Sequence, residues 1–305
     1  MKQIYIGTYT DKNAKGIYKT YFDSGKFYDA SLFCEIESPK YLSKYKDYIV
    51  ALCDKDNKAG IALIDKDGNI VDSITYEDKT SCFVCVDNGI IYTANYHEGS
   101  FSALRYTDKL ELIKNIKIKD KCGCHQVLIH NDMIMVPCLF LDKVMLYDKD
   151  FNNIGSIELP VGSGPRHGVF SKDHKYLYLV SELSNELFKI DMNSLKIIDS
   201  ILLLDNKKNL EGTAAIRMSE NERYLYVSTR GENVISVVDI QNNMKLAQVN
   251  SCFGGHPRDF IIVDDYLICA NRFSNEIVSI KLNDNLIVGV TDKIEIPDGV
   301  ALISY

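Results

Sequence analysis

GPRHGVFSKDHKYLYLVSELSNELFKIDMNSLKIIDSILL, running from Gly164 to Leu203, decides the fold because the chain repeats its pattern. GTAAIRMSENERYLYVSTRGENVISVVDIQNNMKLAQV, Gly212 to Val249, keeps the same order of residue classes. So does HPRDFIIVDDYLICANRFSNEIVSIKLNDNLIVGV, His256 to Val290. In each, a short strand ends at a polar tight turn: SKDHK, SENER or VDD. An apolar, aromatic-rich run follows: YLYLV, YLYVS or YLICA. A polar loop, an alternating strand such as LFKID or ISVVD, another turn and a last alternating strand complete the unit. These are strand signals, with turn residues between them and no helical period. Weaker copies occupy Ser38 to Ile74, Ser81 to Ile113 and Cys124 to Leu159. The period is roughly 40–48 residues, that of a propeller blade.

Four antiparallel strands, repeated, predict an all-β chain folded as a β-propeller. Six full units span about Pro39 to Ile296. The ends supply the seventh. IYIGTYT, GIYKTYF and FYDASLFCE match second, third and fourth strands, and PDGVALISY matches a first strand. Residues 297–305 are therefore expected to complete the blade formed by residues 1–36, which closes the ring and leaves no long free edge. The whole chain, 1–305, reads as one domain. Two β-sandwich domains would not explain a uniform period.

Composition narrows the function. The net charge of -7 argues against nucleic-acid partners, which require a basic surface. No basic run marks a membrane patch. The N-terminus MKQIYIGTYT lacks the apolar run of a signal peptide, and no stretch approaches the ~20 apolar residues of a membrane span. A cytoplasmic protein is expected. The nine cysteines fit reduced, mostly buried thiols. Cys82 and Cys85 form a Cys-x-x-Cys without a following helix pattern, so a thioredoxin-like role is not expected. Cys122, Cys124 and His125 are the one clustered set of metal-ligand types, but their spacing suits zinc poorly and no second knuckle exists. Neither metal nor cofactor is expected.

Propeller topology ranks the polar residues. The first strand of a blade lines the channel and the second runs antiparallel to it, so first-strand starts and second-strand ends share a mouth. First-strand starts carry His125, Arg166, His167, His256 and Arg258. Second-strand ends carry Asn95, Glu182, Arg230, Asn271 and Arg272. Four of the seven arginines and three of the six histidines converge there. Arginine forks bind carboxylate or phosphate, so a small anionic ligand is expected. Arg166 and Arg258 also suit binding to neighbouring carbonyls, Asn95 and Asn271 suit turn capping, and His167 and His256 suit packing. Glu182, flanked by YLYLVS and Leu183, requires a partner such as arginine.

These residues carry a resemblance. YIGTYT with GIY, TANYHEGSFSAL from Thr93, GSGPRHGVFSKDHKYLYLVSEL from Gly162, AAIRMSENERYLYVSTRGENVISV from Ala214 and GGHPRDFIIVDDYLICANRFSNEIVSI from Gly254 resemble the seven-bladed propeller lactonases. That family includes propeller-type 6-phosphogluconolactonases and is related to carboxymuconate cyclase. The resemblance implies catalytic residues at His125, Arg166, Glu182 and Arg230. It leaves Asn95, His167, His256, Arg258, Asn271 and Arg272 as substrate-binding candidates. The chain departs from the family at GCHQV, where a His-x-His segment is reduced to Cys-His, at Ala215, and at MVPCLFLDKV.

The resemblance implies a hydrolase acting on a sugar lactone, foremost 6-phosphogluconolactone of the oxidative pentose phosphate route. The chemistry expected is water attack, with Glu182 as base, His125 as acid, and Arg166 with Arg230 around the oxyanion and the anionic substituent. No Gly-x-Ser-x-Gly motif suggests an acyl-enzyme. A muconate-type lactonising cycloisomerase and a non-catalytic scaffold for protein partners are the alternatives.

Overall fold

In the computed structural model, which describes residues 1–11, 13–204 and 212–305, seven sheets of four antiparallel strands form the propeller. One blade comprises Pro165–Phe170, Tyr176–Ser181, Glu186–Asp191 and Lys196–Leu202, in spatial order. Its second strand is buried almost throughout, because neighbouring blades cover both faces. Its fourth strand is largely exposed, as an outer edge should be. The apolar clusters lie between blades. Leu128, Met135 and Val144 of one blade pack on Leu177, Leu179 and Phe188 of the next. Such interlayer packing is what the continuous apolar runs of the repeat demand. The only helical element among the described residues is the 3-10 turn Leu139–Leu141, so no helix there is long and apolar enough to cross a membrane.

Closure follows the expected route. Gly299–Ser304 is the innermost strand of the sheet that continues through Lys2–Thr8, Gly16–Asp23 and Lys26–Glu35. Ile4 pairs with Ser304 and Ile6 with Leu302. Gln3 and Tyr305 exchange both main-chain hydrogen bonds, at 3.1 and 2.8 Å.

A recurring fastener sets the start of four of the inner strands. Asn185, Asn233 and Asn275 sit in the turn between second and third strands with φ of 55°, 55° and 57°. Asn tolerates this left-handed region better than most residues. Each side-chain carbonyl accepts from the next blade: from Thr213 N at 3.0 Å, His256 N at 2.6 Å and Asp298 N at 2.9 Å. Asp142, φ 52°, does the same for Gly164 N at 2.8 Å. Blade-to-blade registration at the mouth is thereby fixed by hydrogen bonds as well as by packing.

Candidate active site

Second-strand ends and first-strand starts do meet at one mouth: Pro165 pairs with Ser181, Thr213 with Thr229 and Pro257 with Asn271. At this mouth a cavity of about 190 Å³ is lined by Tyr9, Lys40, Cys82, Tyr96, His97, His125, Glu182, Arg230 and Arg258.

Glu182 is the hub. It follows strand Tyr176–Ser181, and its main-chain N–H donates to Gly164 O at 2.7 Å. Arg166 Nε donates to Oε2 at 2.6 Å, and Arg230 NH2 lies 2.9 Å from Oε1 as an ion pair. The two arginines come from adjacent blades, so the carboxylate bridges the blade boundary. Arg166 NH1 also donates to Ala214 O, and Arg230 Nε donates to Gly212 O at 3.2 Å. Gly212 is needed here: a Cβ would collide with the Glu182 carbonyl oxygen. Burial alone would raise the pKa of Glu182, but the charges of Arg166, Arg230 and Arg258 outweigh it and hold the group below the usual carboxylate range. Arg166 is drawn down by burial to about 10, against the pull of Glu182, and stays charged at neutral pH.

His125 lies across from this pair, with Nε2 4.0 Å from Glu182 Oε2. Its Nδ1 shares a hydrogen bond with His167 Nε2 at 3.2 Å. Burial, aided by Arg166, His167 and Arg258, pushes its pKa well down, so the imidazole is neutral. Tyr96 packs edge-on against this ring at 5.6 Å. Burial and the Glu182 charge raise the Tyr96 phenol, which keeps its proton as a donor.

The expected residues separate into three groups. His125, Glu182, Arg230 and Arg258 line the cavity. Arg166 stands behind Glu182 and His167 behind His125, both buried and off the cavity wall. His167 is packed edge-on by Tyr41 and Phe83, with ring centroids 6.2 and 5.7 Å away. The rest are occupied elsewhere. The Asn95 amide donates to Lys79 O at 2.6 Å and its carbonyl accepts from Glu98 N at 2.9 Å. The Asn271 amide donates to Cys252 O at 3.0 Å. His256 stacks on Phe273 at 4.0 Å. Arg272 pairs with Asp298 at 3.4 Å and Asp11 at 3.5 Å and covers the Tyr9 ring.

Lys40, Tyr9 and Tyr96 line the cavity without having been singled out from sequence. The repeat carried their signal. Pro39-Lys40 occupies the position of Pro165-Arg166 and Pro257-Arg258, while Tyr9 and Tyr96 follow second strands just as Glu182 does. Cys82 and His97 complete the wall.

Comparison with known proteins gives the family and the fold. The family model described as lactonase, 7-bladed beta-propeller, matches residues 3–302. A 6-phosphogluconolactonase of Bacillus subtilis is 27% identical, covering 90% of this chain and 89% of its own. A crystal structure of a protein from Lactobacillus plantarum superposes with a TM-score of 0.92 at 25% identity over 100% of both chains. A periplasmic gluconolactonase of Pseudomonas aeruginosa shares the fold, with a TM-score of 0.89 at 19% identity over 99% of this chain and 98% of its own.

Proposed function

The chain belongs to the family of seven-bladed β-propeller lactonases, and we propose that it hydrolyses a phosphorylated sugar lactone, foremost 6-phosphogluconolactone, by direct water attack at the channel mouth. The observation that carries this reading is the carboxylate of Glu182, held between Arg166 and Arg230 and facing His125 across a small cavity. Lys40, Arg230 and Arg258 give that cavity three cations. A phosphate or carboxylate on the substrate suits such a wall.

The roles follow from placement. Glu182 takes a proton from water. Its arginines keep it ionised at some cost in basicity, which a reactive six-membered lactone tolerates. Arg230 and Arg258 stabilise charge on the carbonyl oxygen and hold the anionic substituent. His125, as a neutral imidazole, donates to the ring oxygen that leaves, a use of imidazole that does not require the imidazolium. Arg166 orients Glu182 and does not touch substrate. The reaction breaks the acyl C–O bond of the ring, adds hydroxide from water to the carbonyl carbon, and returns the proton to the new hydroxyl.

The test compares hydrolysis of 6-phosphogluconolactone and unphosphorylated gluconolactone, each corrected for spontaneous opening, with turnover of a diene diacid. A clear preference for the phosphorylated lactone supports the reading. No rate above background with either lactone overturns it, and turnover of the diacid alone would make the protein a cycloisomerase.

A further inference from the structure

On the core side of His125, three thiols meet. Neighbouring residues of an extended chain point to opposite faces. His125 therefore reaches the cavity wall while Cys124 turns into the apolar cluster that contains Phe83, Phe101, Val136 and Tyr147. Cys124 Sγ lies 3.5 Å from Cys122 Sγ and 3.8 Å from Cys138 Sγ, and all three sulfurs fall within 4.8 Å of one another. Cys122 and Cys124 turn the same way, with Gly123 between them at φ 74°. Cys138 comes from the facing strand. His125 N donates to Pro137 O and Leu139 N to Gly123 O, both at 3.0 Å, which makes Cys124 and Cys138 the narrow, directly opposed pair of the ladder.

We propose that Cys122, Cys124 and Cys138 form a three-coordinate site for a thiophilic closed-shell cation, and that this cation is monovalent copper. The ligand set is all sulfur, the choice of soft cations. Sulfurs bonded at about 2.3 Å to one central ion stand roughly 4 Å apart, so closure requires the sulfur separations to change by less than about 1 Å. Zinc would require a fourth ligand. No histidine or carboxylate joins the cluster among the described residues, and the sulfurs are sealed from the water that completes open zinc sites. Monovalent copper is content with three thiolates. Loading forms three S–Cu bonds as three S–H protons leave for solvent. The run KIKDK, 117–121, leads directly into Cys122 and lies at the surface, with Lys117 paired to Asp120 at 2.8 Å. In sequence, Cys122 and Cys124 are clustered with His125, a set whose spacing suits zinc poorly and from which no metal is expected. Cys138 takes the place of His125 because cross-strand pairing outranks sequence adjacency. A cation here would fasten the strand end that carries His125, although binding itself does not depend on the lactonase reading.

The test is anaerobic titration of the full-length protein against the copper(I)–bicinchoninate complex, with X-ray absorption counting the sulfurs. One copper per chain with three sulfurs at about 2.3 Å is expected. Cys124→Ser and Cys138→Ser should each weaken retention by more than the 10–100-fold typical of losing an outer-shell partner. Cys85→Ser should leave it unchanged. Circular dichroism melts of the variants separate ligand loss from unfolding. The proposal is overturned if wild-type protein yields all its copper to bicinchoninate. It is equally overturned if the bound copper shows nitrogen donors or survives replacement of all three cysteines by serine in a folded protein.

Discussion

Glu182 and Glu77 both place a largely buried carboxyl at the end of a strand, yet their surroundings drive them in opposite directions. Glu182 has two arginines against its oxygens and is held below the usual range. Glu77 ends strand Ile70–Glu77, 3% exposed, and is met by the Ser81 hydroxyl at 3.0 and 2.8 Å. Burial pushes it up to about 8, because the hydroxyl and the nearby Asn95 do not offset the loss of water, and Glu98 adds repulsion. The next residue, Asp78, is exposed, bound to Lys58 at 2.5 Å, and shifts down. Burial therefore does not decide the charge of a carboxyl. The partner does: Glu182 meets two arginines at the cavity, whereas Glu77 meets only a hydroxyl and an amide.

The strongest way to break this contrast is Glu182→Gln. It removes the charge and leaves Arg166 and Arg230 facing each other. Lactone turnover should drop about 100-fold or more. Stability should fall on the scale of about 3 kcal/mol, the lower end for a broken buried ion pair, since the cavity admits some water. A folded variant with full turnover would remove Glu182 from the chemistry.

Arginine-to-lysine changes sharpen the division between wall and support. Arg230→Lys should weaken substrate binding and turnover together, by roughly tenfold or about 1.4 kcal/mol. Arg166→Lys, behind the carboxylate, should lower kcat with little change in KM. Equal KM effects in steady-state assays would show that Arg166 reaches the substrate after all.

For Glu77 the expected effect is on stability alone. Its pKa is raised in the folded state, so the native protein holds a proton that the unfolded chain releases. The resulting stabilisation is complete below the ordinary glutamate range near 4.5 and is lost as pH rises towards about 8. Melting temperature of the wild type should fall between pH 5 and 8, and Glu77→Gln should flatten that slope, by up to several kcal/mol across the window. For Glu182 the sign is reversed: its contribution is present above the ordinary range and is lost only as pH falls through its lowered value. Parallel slopes for wild type and Glu77→Gln would mean that Glu77 is ionised in the folded protein. The smallest effect is expected at Asp78→Ala, where melting should not move measurably, because an exposed lysine pair contributes little.

The blades, their order and the closure by both termini were legible because a repeat encodes burial locally. YLYLV is a continuous apolar, aromatic-rich run since both of its faces are covered, and LFKID alternates more. Glu182 and its arginine partner were legible for a related reason, since a carboxylate beside a buried strand must be matched. Lys40 was equally present in the repeat, at the position of Arg166 and Arg258, but a single lysine in SPKYL carries no weight until the blades are superposed. Asn95 and Asn271 stood among the binding candidates while suiting turn capping, and the neighbouring loops show their amides donating to the Lys79 and Cys252 carbonyls.

Sequence by itself determined which residues could reach the mouth, because strand alternation and blade order are short-range properties of the chain. Tertiary structure decided which of them face the cavity and in what state. Arg272 was drawn off because Asp298 of the next blade and Asp11, from the far end of the chain, stand beside it. His125 is neutral because it is buried and because Arg166, His167 and Arg258 arrive from other blades. Cys138 joined Cys124 because two strands happen to pair at that register. Each of these depends on distances between residues remote in sequence, and electrostatics and coordination respond to distance rather than to order along the chain.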